Sequence, residues 1–68
     1  MRVSARNQFK GTVTAIKEGG VEAQVTLDVE GIAMVAVVTV DAVAQLGLKV
    51  GSPAVALVKA DSVMLAVD

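Results

Sequence analysis

The stretch Val21-Glu22-Ala23-Gln24-Val25-Thr26-Leu27-Asp28-Val29 alternates apolar and polar residues without interruption. A period of two is typical of a β-strand that buries one face and leaves the other in water. Lys17–Gly20 precedes this stretch and is interpreted as a hairpin turn, in which we expect Gly19 and Gly20 to supply positive φ angles. Glu30-Gly31 follows it as a second turn. The sequence therefore predicts a half-buried strand between two turns.

Four further stretches predict β-strands because they are short, rich in Val, Ala and other apolar residues, and bounded by turn residues. They cover residues 9–16, 33–38, 54–59 and 62–67. The stretch 33–38 is apolar on both faces. Such a strand is expected either at the centre of a core or against another subunit.

One short helix is predicted between the third and fourth strands. Apolar residues recur every three positions, at Val40, Val43 and Leu46, which predicts a helix over residues 40–46. Thr39 is expected to cap its N-terminus, and Gly47 lies where a terminating glycine belongs. The resulting order, β-β-β-α-β-β, is the layout of an all-β, five-stranded OB-like barrel. A small open sheet or an SH3-like barrel is the alternative.

The composition points to burial between subunits. The 68 residues predict a single domain, 1–68, and a domain of this size buries only about 60% of its unfolded surface. Yet 54% of the residues are hydrophobic, above the roughly 45–50% of soluble domains. No apolar run approaches the roughly 18 residues of a membrane-spanning helix. No secretory signal is visible, so we expect a cytoplasmic protein. We also expect a homo-oligomer that buries the surplus hydrophobic residues in its interfaces.

Several absences argue against catalysis and nucleic-acid binding. The chain has no His and no Cys, which removes the commonest general base, the strongest nucleophile and the usual ligands of structural zinc. Its net charge is −1 and its single aromatic residue is Phe9, whereas nucleic-acid binders need basic surfaces and stacking platforms. We therefore expect no enzyme, no nucleic-acid partner and no membrane partner.

Three segments are instead rich in hydrogen-bond donors. Ser4–Gln8 offers a hydroxyl, a guanidinium and two amides, and Lys59–Ser62 offers an ammonium and a hydroxyl in a tight turn. Thr39–Ala42 is a predicted helix N-terminus, where N–H groups and the helix dipole favour anions. Each segment also has a plainer interpretation, since most surface basic residues are merely solvated and Thr39 can act only as a cap. Spacing alone leaves both interpretations open.

Ser4-Ala5-Arg6-Asn7-Gln8-Phe9-Lys10-Gly11 resembles the SARNxxKG opening of the Mop, or molbindin, family of molybdate-binding domains. Residues 39–51 resemble the helix and turn of that family, and residues 58–64 resemble its closing lysine motif. The resemblance runs over nearly the whole chain. It implies a single TOBE-type domain with an OB-type fold. It also implies non-catalytic intracellular binding of molybdate or tungstate, for storage or homeostasis.

The resemblance also implies an assembly and a set of site residues. Free-standing members of the family form hexamers, as trimers of dimers, with oxyanion sites at subunit interfaces. No cofactor is expected, and no side chain is expected to ligate a metal directly, because molybdenum would enter only as the bound oxyanion. The oxyanion-binding residues carried over by motif are Ser4, Ala5, Arg6, Thr39, Lys59, Ala60 and Ser62.

The chain departs from the family pattern at three positions. Phe9 stands where Leu is common, which we expect to change packing alone, whereas Ala42 and Ala60 stand where Ser can occur. These two alanines can offer only backbone N–H groups.

We expect Arg6 and Lys59 from different subunits to clamp the anion. The alternative is a structural or protein-interaction module with a vestigial anion site.

Overall fold

A computed structural model describes residues 2–68 of the chain. These residues form one antiparallel sheet of four strands in the order β3-β2-β1-β4. A short helix lies between the third and fourth strands, as predicted. The elements are β1 (Asn7–Glu18), β2 (Glu22–Val29), β3 (Ile32–Thr39), α1 (Val40–Leu46), β4 (Pro53–Val58) and a 3₁₀ turn (Ala60–Ser62).

Strand β1 pairs with two strands in succession. Its first half, from Asn7 to Thr12, lies antiparallel to β4, and its second half, from Thr12 to Glu18, lies antiparallel to β2. A β-bulge between Val13 and Ala15 separates regular pairing on either side. Because a bulge bends its strand and increases the twist, β1 changes direction beside Val13, whose side chain is buried in the core.

Gly11 lies close to the backbone at the end of β2. A Cβ atom at this position would be 2.6 Å from the carbonyl oxygen of Asp28 and 2.9 Å from Cγ2 of Val29. Only glycine allows two segments to approach so closely. The glycine of the opening motif is therefore explained by the path of β1 across the sheet.

The core lies on one face of the sheet, and α1 closes it. The predicted alternation in β2 is confirmed, since Ala23, Val25 and Leu27 are buried while Gln24 and Asp28 between and beside them are exposed. The buried residues come from three elements, β1, β2 and α1. They are Val13, Ala23, Val25, Leu27 and Val43.

The predicted helix is confirmed from its first residue to its last. The hydroxyl oxygen of Thr39 accepts a 3.0 Å hydrogen bond from the N–H of Ala42, and Gly47 ends the helix in the left-handed region at φ 65°. Both signals act within one helical turn, so the local sequence is sufficient to set the helix bounds. Among residues 2–68, no helix has the length and apolar character needed to cross a bilayer.

The two hairpin turns differ from each other. Glu30 (φ 51°) and Gly31 (φ 86°) both have positive φ, as a two-residue type I′ turn requires. Gly19 and Gly20 are not among the described residues with positive φ, so that expectation was wrong. Their turn is longer, running from β1 at Glu18 to β2 at Glu22, and a longer connection does not need the left-handed pair.

The expected fifth strand at 62–67 does not form. After the 3₁₀ turn, segment 63–68 has no regular structure, and its side chains are open to solvent, with Met64 91%, Leu65 93% and Val67 97% exposed. A strand needs partners for its N–H and C=O groups. The Val63 N–H bonds within the turn, to the Ala60 carbonyl, and residues 64–68 pair with no described strand of the same copy. The observed fold is an open four-stranded sheet rather than the predicted five-stranded barrel.

An apolar groove of about 750 Å³ separates β3 from β4. These are the two edge strands of the sheet, so the groove marks the gap at which an OB-like barrel would close. We call it the β3–β4 groove. Its walls include Met34, Ala36 and Val38 from β3 and Ala54, Ala56 and Val58 from β4.

Replacing Gly11 by alanine is expected to lower the free energy of unfolding by about 2–4 kcal/mol, because the new methyl group would overlap backbone atoms. Gly20→Ala is the matched control, since no atom lies within 4 Å of its added Cβ, and a change below about 1 kcal/mol is expected. Urea denaturation at one fixed protein concentration measures both variants. Equal unfolding midpoints for the two would contradict the close approach at Gly11.

Candidate oxyanion-binding site

The last rung of the β1–β4 ladder brings together two of the three donor-rich segments. Asn7 pairs with Val58, so residues 4–6 and residues 59–62 continue from the same end of two adjacent strands. Adjacent strands lie only about 4.8 Å apart. Ser4–Arg6 and Lys59–Ser62 therefore leave the sheet from neighbouring points.

The first of these segments forms a shallow polar concavity. Its volume is about 360 Å³, and its lining is Val3, Ser4, Ala5, Arg6 and Gln8. Ser4 and Arg6 are exposed, so the hydroxyl and the guanidinium are both accessible to a solute. The side-chain amide of Gln8 donates from Nε2 to the carbonyl oxygen of Ala5 at 3.1 Å, which ties this segment to the start of β1.

The second segment is a 3₁₀ turn that uses only part of its donor set. The N–H of Ser62 donates to the Lys59 carbonyl at 2.9 Å, and the N–H of Val63 donates to the Ala60 carbonyl at 3.3 Å. Neither bond uses the N–H of Ala60. Lys59, Ala60 and Ser62 are exposed, so an ammonium, a backbone N–H and a hydroxyl can all be presented to a ligand.

The third segment lies elsewhere in the same copy. Thr39 pairs with Glu22, and this rung lies next to the Glu18 end of β1, whereas the other two segments adjoin the Asn7 end. Two of the first three helical N–H groups are already engaged, because Val40 donates to the Val21 carbonyl at 2.8 Å and Ala42 donates to Thr39. The helix N-terminus thus offers fewer free donors than the sequence suggested, although the Thr39 hydroxyl can still donate its proton.

Sequence reasoning counted Asn7 and Gln8 as possible ligands, and it missed how the fold uses them. The Nδ2 of Asn7 donates to the carbonyl oxygen of Val58 at 3.2 Å, across 51 positions of sequence. No local pattern reveals a partner so distant. Both amide side chains therefore act within the chain, beside the segments that carry the exposed donors.

The charges near this end of the β1–β4 ladder are mixed. Arg6 and Lys59 bring two cations to it, and Asp61 adds one carboxylate in the 3₁₀ turn. Within residues 2–68, no three Asp or Glu side chains are grouped closely enough to hold a metal ion. The arrangement can donate hydrogen bonds to an anion and offers it positive charge.

The fold and the exposed donors define a small β-domain with a polar, donor-rich edge. Residues 3–65 match the TOBE domain. The chain is 45% identical over 69 residues to a probable molybdenum-pterin-binding protein of Haemophilus influenzae, covering 100% of both chains. The chain therefore belongs to the TOBE-domain family and, within it, to the Mop, or molbindin, proteins.

Two solved structures share the fold. MopII from Clostridium pasteurianum, in an apo form, has a TM-score of 0.92 at 39% identity, with 97% of this chain and 100% of that chain covered. ModG, described as a cytoplasmic molybdate-binding protein and solved with molybdate bound, has a TM-score of 0.96 at 48% identity. These neighbours are OB-like molbindins, so the open sheet belongs to an OB-like fold.

The matched length differs among the relatives. The chain covers 49% of ModG. It covers only 26% of the molybdenum transport protein ModE of Herbaspirillum seropedicae, to which it is 45% identical over 69 residues. The same unit therefore occurs both as a short chain and as part of longer proteins.

Proposed function

We propose that this protein binds molybdate or tungstate as an intact oxyanion, without catalysis, and that it serves intracellular storage and homeostasis of the anion. One observation supports the proposal: Asn7 pairs with Val58, so two donor-rich segments, each with a cation, start from adjacent strand ends. The molybdate bound to ModG supports this choice of ligand, and the description of ModG as cytoplasmic supports that location.

The donor set suits a fully deprotonated dianion. Molybdate at neutral pH accepts hydrogen bonds through all its oxygens and donates none, so a matching site needs only donors and positive charge. Hydrogen phosphate carries a proton that needs an acceptor, and an all-donor site disfavours it. The proposed donors within one copy are the side chains of Ser4, Arg6, Lys59 and Ser62 and the N–H groups of Ala5 and Ala60.

The number of donors is sufficient for useful affinity. A charge-assisted hydrogen bond contributes about 1.5–3 kcal/mol net. Roughly six of them give micromolar or tighter binding after the costs of association and ordering. Sulfate has the same charge and no proton, so only the size of the closed site can reject it.

Thr39 joins this site only if two copies share it. In one copy Thr39 lies near the Glu18 end of β1, whereas Ser4–Arg6 precedes its Asn7 end. Arg6 and Lys59 are each the next residue along the chain from the Asn7–Val58 pair. We propose that one copy supplies both cations, in place of the two-subunit clamp expected from the sequence. In our proposal the second copy contributes the Thr39 hydroxyl.

Segment 63–68 gives a physical route to a homo-oligomer. The segment is apolar and exposed, and the β3–β4 groove is apolar and has an unpaired strand on each side. We infer that segment 63–68 of one copy enters the groove of another, where its N–H and C=O groups gain partners. Further contacts through the exposed outer face of β3, with Val35 56% and Val37 63% exposed, can extend a dimer to the hexamer implied by the resemblance.

The same apolar surfaces favour a second function. A different protein could occupy the β3–β4 groove, and the chain would then be an interaction module with a vestigial anion site. This alternative predicts no heat of binding with molybdate or tungstate.

Lys59→Ala is expected to weaken molybdate binding about 10- to 100-fold, because one charge-assisted contact of about 1.5–3 kcal/mol is lost. Lys17→Ala is the matched control, since Lys17 pairs with Gln24 near the other end of β1, and its affinity should equal that of the unmodified protein. Isothermal titration with molybdate, tungstate and sulfate measures the affinities. The function is wrong if the unmodified protein binds neither molybdate nor tungstate, and Lys59 lies outside the site if its variant binds normally.

Asp61→Asn is expected to tighten molybdate binding about two- to fivefold at low salt, because it removes a negative charge from the turn that carries Lys59 and Ser62. The gain should shrink at high salt, where exposed charges are screened. Asp28→Asn removes an equal charge from β2 and serves as the control. Tighter binding by both variants to the same degree would show a general charge effect rather than a contribution of Asp61.

Leu65→Asp is expected to weaken self-association by at least about tenfold, since a carboxylate would have to enter an apolar groove. Val21→Asp is the control, because Val21 is an exposed valine in the β1–β2 turn. Sedimentation equilibrium across micromolar concentrations gives the mass of each. A monomeric unmodified protein, or an unchanged mass for Leu65→Asp, would exclude assembly through segment 63–68.

A further inference from the structure

Two neighbouring amide side chains connect the start of β1 to the two donor-rich segments. Asn7 donates from Nδ2 to the Val58 carbonyl at 3.2 Å, in a half-buried position. Gln8 donates from Nε2 to the Ala5 carbonyl at 3.1 Å, in an exposed position. Each accepting carbonyl belongs to the residue directly before a cation, Lys59 in one case and Arg6 in the other.

A hydrogen bond to a carbonyl also orients the N–H that follows it. The peptide group is planar, so the carbonyl oxygen of residue i and the N–H of residue i+1 lie in one rigid plane. Holding the Val58 oxygen therefore sets the direction of the Lys59 N–H, and holding the Ala5 oxygen sets that of the Arg6 N–H. The paths of both segments out of the sheet depend on the same two planes.

We propose that Asn7 and Gln8 are positioning residues, which orient the Lys59 and Arg6 segments before any anion arrives. The inference rests on the proposed oxyanion site and adds two residues that need not contact the ligand. Preorganised donors bind more tightly because less ordering remains to be done on association. The amides thus raise affinity through the segments that they hold.

Replacing Asn7 should lower molybdate affinity more than replacing Gln8. A half-buried hydrogen bond is screened less by water than an exposed one, and Asn7 links β1 to β4 whereas Gln8 closes a loop of three residues. We expect Asn7→Ala to weaken molybdate binding about five- to tenfold and Gln8→Ala about twofold. Molybdate is used as the probe throughout.

Thr14→Val provides a matched structural control. Thr14 also lies on β1 and donates from Oγ1 to a backbone carbonyl across the sheet, that of Thr26, at 3.3 Å. Its partner is in β2, away from both donor segments. The Thr14 bond is exposed, so Thr14→Val should lower the urea midpoint less than Asn7→Ala does, and it should leave molybdate affinity unchanged.

Amide NMR spectra of the ligand-free protein separate this inference from the proposed function. Asn7→Ala should shift the backbone N–H resonance of Lys59, and Gln8→Ala should shift that of Arg6, whether or not the protein binds molybdate. An effect on affinity equal to that of Thr14→Val, or unmoved Lys59 and Arg6 resonances, would overturn it. If Asn7→Ala does not fold, the exposed Gln8→Ala variant decides by the same two measurements.

Discussion

The divided pairing of β1 is the constraint on which the rest of the structure depends. The first half of β1 pairs with β4 and its second half pairs with β2. The bulge and the close approach at Gly11 allow this change of partner. This path forms the curved sheet over the Val13 core. It also brings the chain before Asn7 beside the chain after Val58. The donor-rich edge therefore follows from the sheet topology rather than from any local motif.

The second constraint is that the core of one copy is too small to bury most of its hydrophobic residues. Only five hydrophobic residues of the described chain are buried, although more than half of the sequence is hydrophobic. The surplus is concentrated in segment 63–68, the β3–β4 groove and the outer face of β3. Burial of these surfaces would stabilise the protein at roughly 25 cal/mol per Å² of apolar area. An isolated copy gains little of this free energy, so the proposed oligomer and the proposed site are expected to form together.

The sequence predicted those features whose causes are local. The helix from Val40 to Leu46 was predicted correctly because its cap and its glycine act within one turn, and the alternation of β2 reports one buried face. The fifth strand was wrong because segment 63–68 has strand composition but no partner within the chain. The roles of Gly11 and Asn7 depend on contacts with residues far along the sequence, which periodicity cannot reveal. For the site, motif resemblance supplied the residues, while the strand pairing shows that two of the segments adjoin one end of β1 and that Thr39 lies near the other end.

The uncovered edge of β3 has a consequence for a single copy of the protein. From Ile32 to Val38 the strand carries no charge, no proline and no bulge against β2, and these are the usual devices that prevent unwanted strand pairing. A newly folded copy thus presents a template to which any extended apolar peptide can add. In the proposed oligomer, rapid capture by sister chains would cover this edge and so limit unwanted strand pairing.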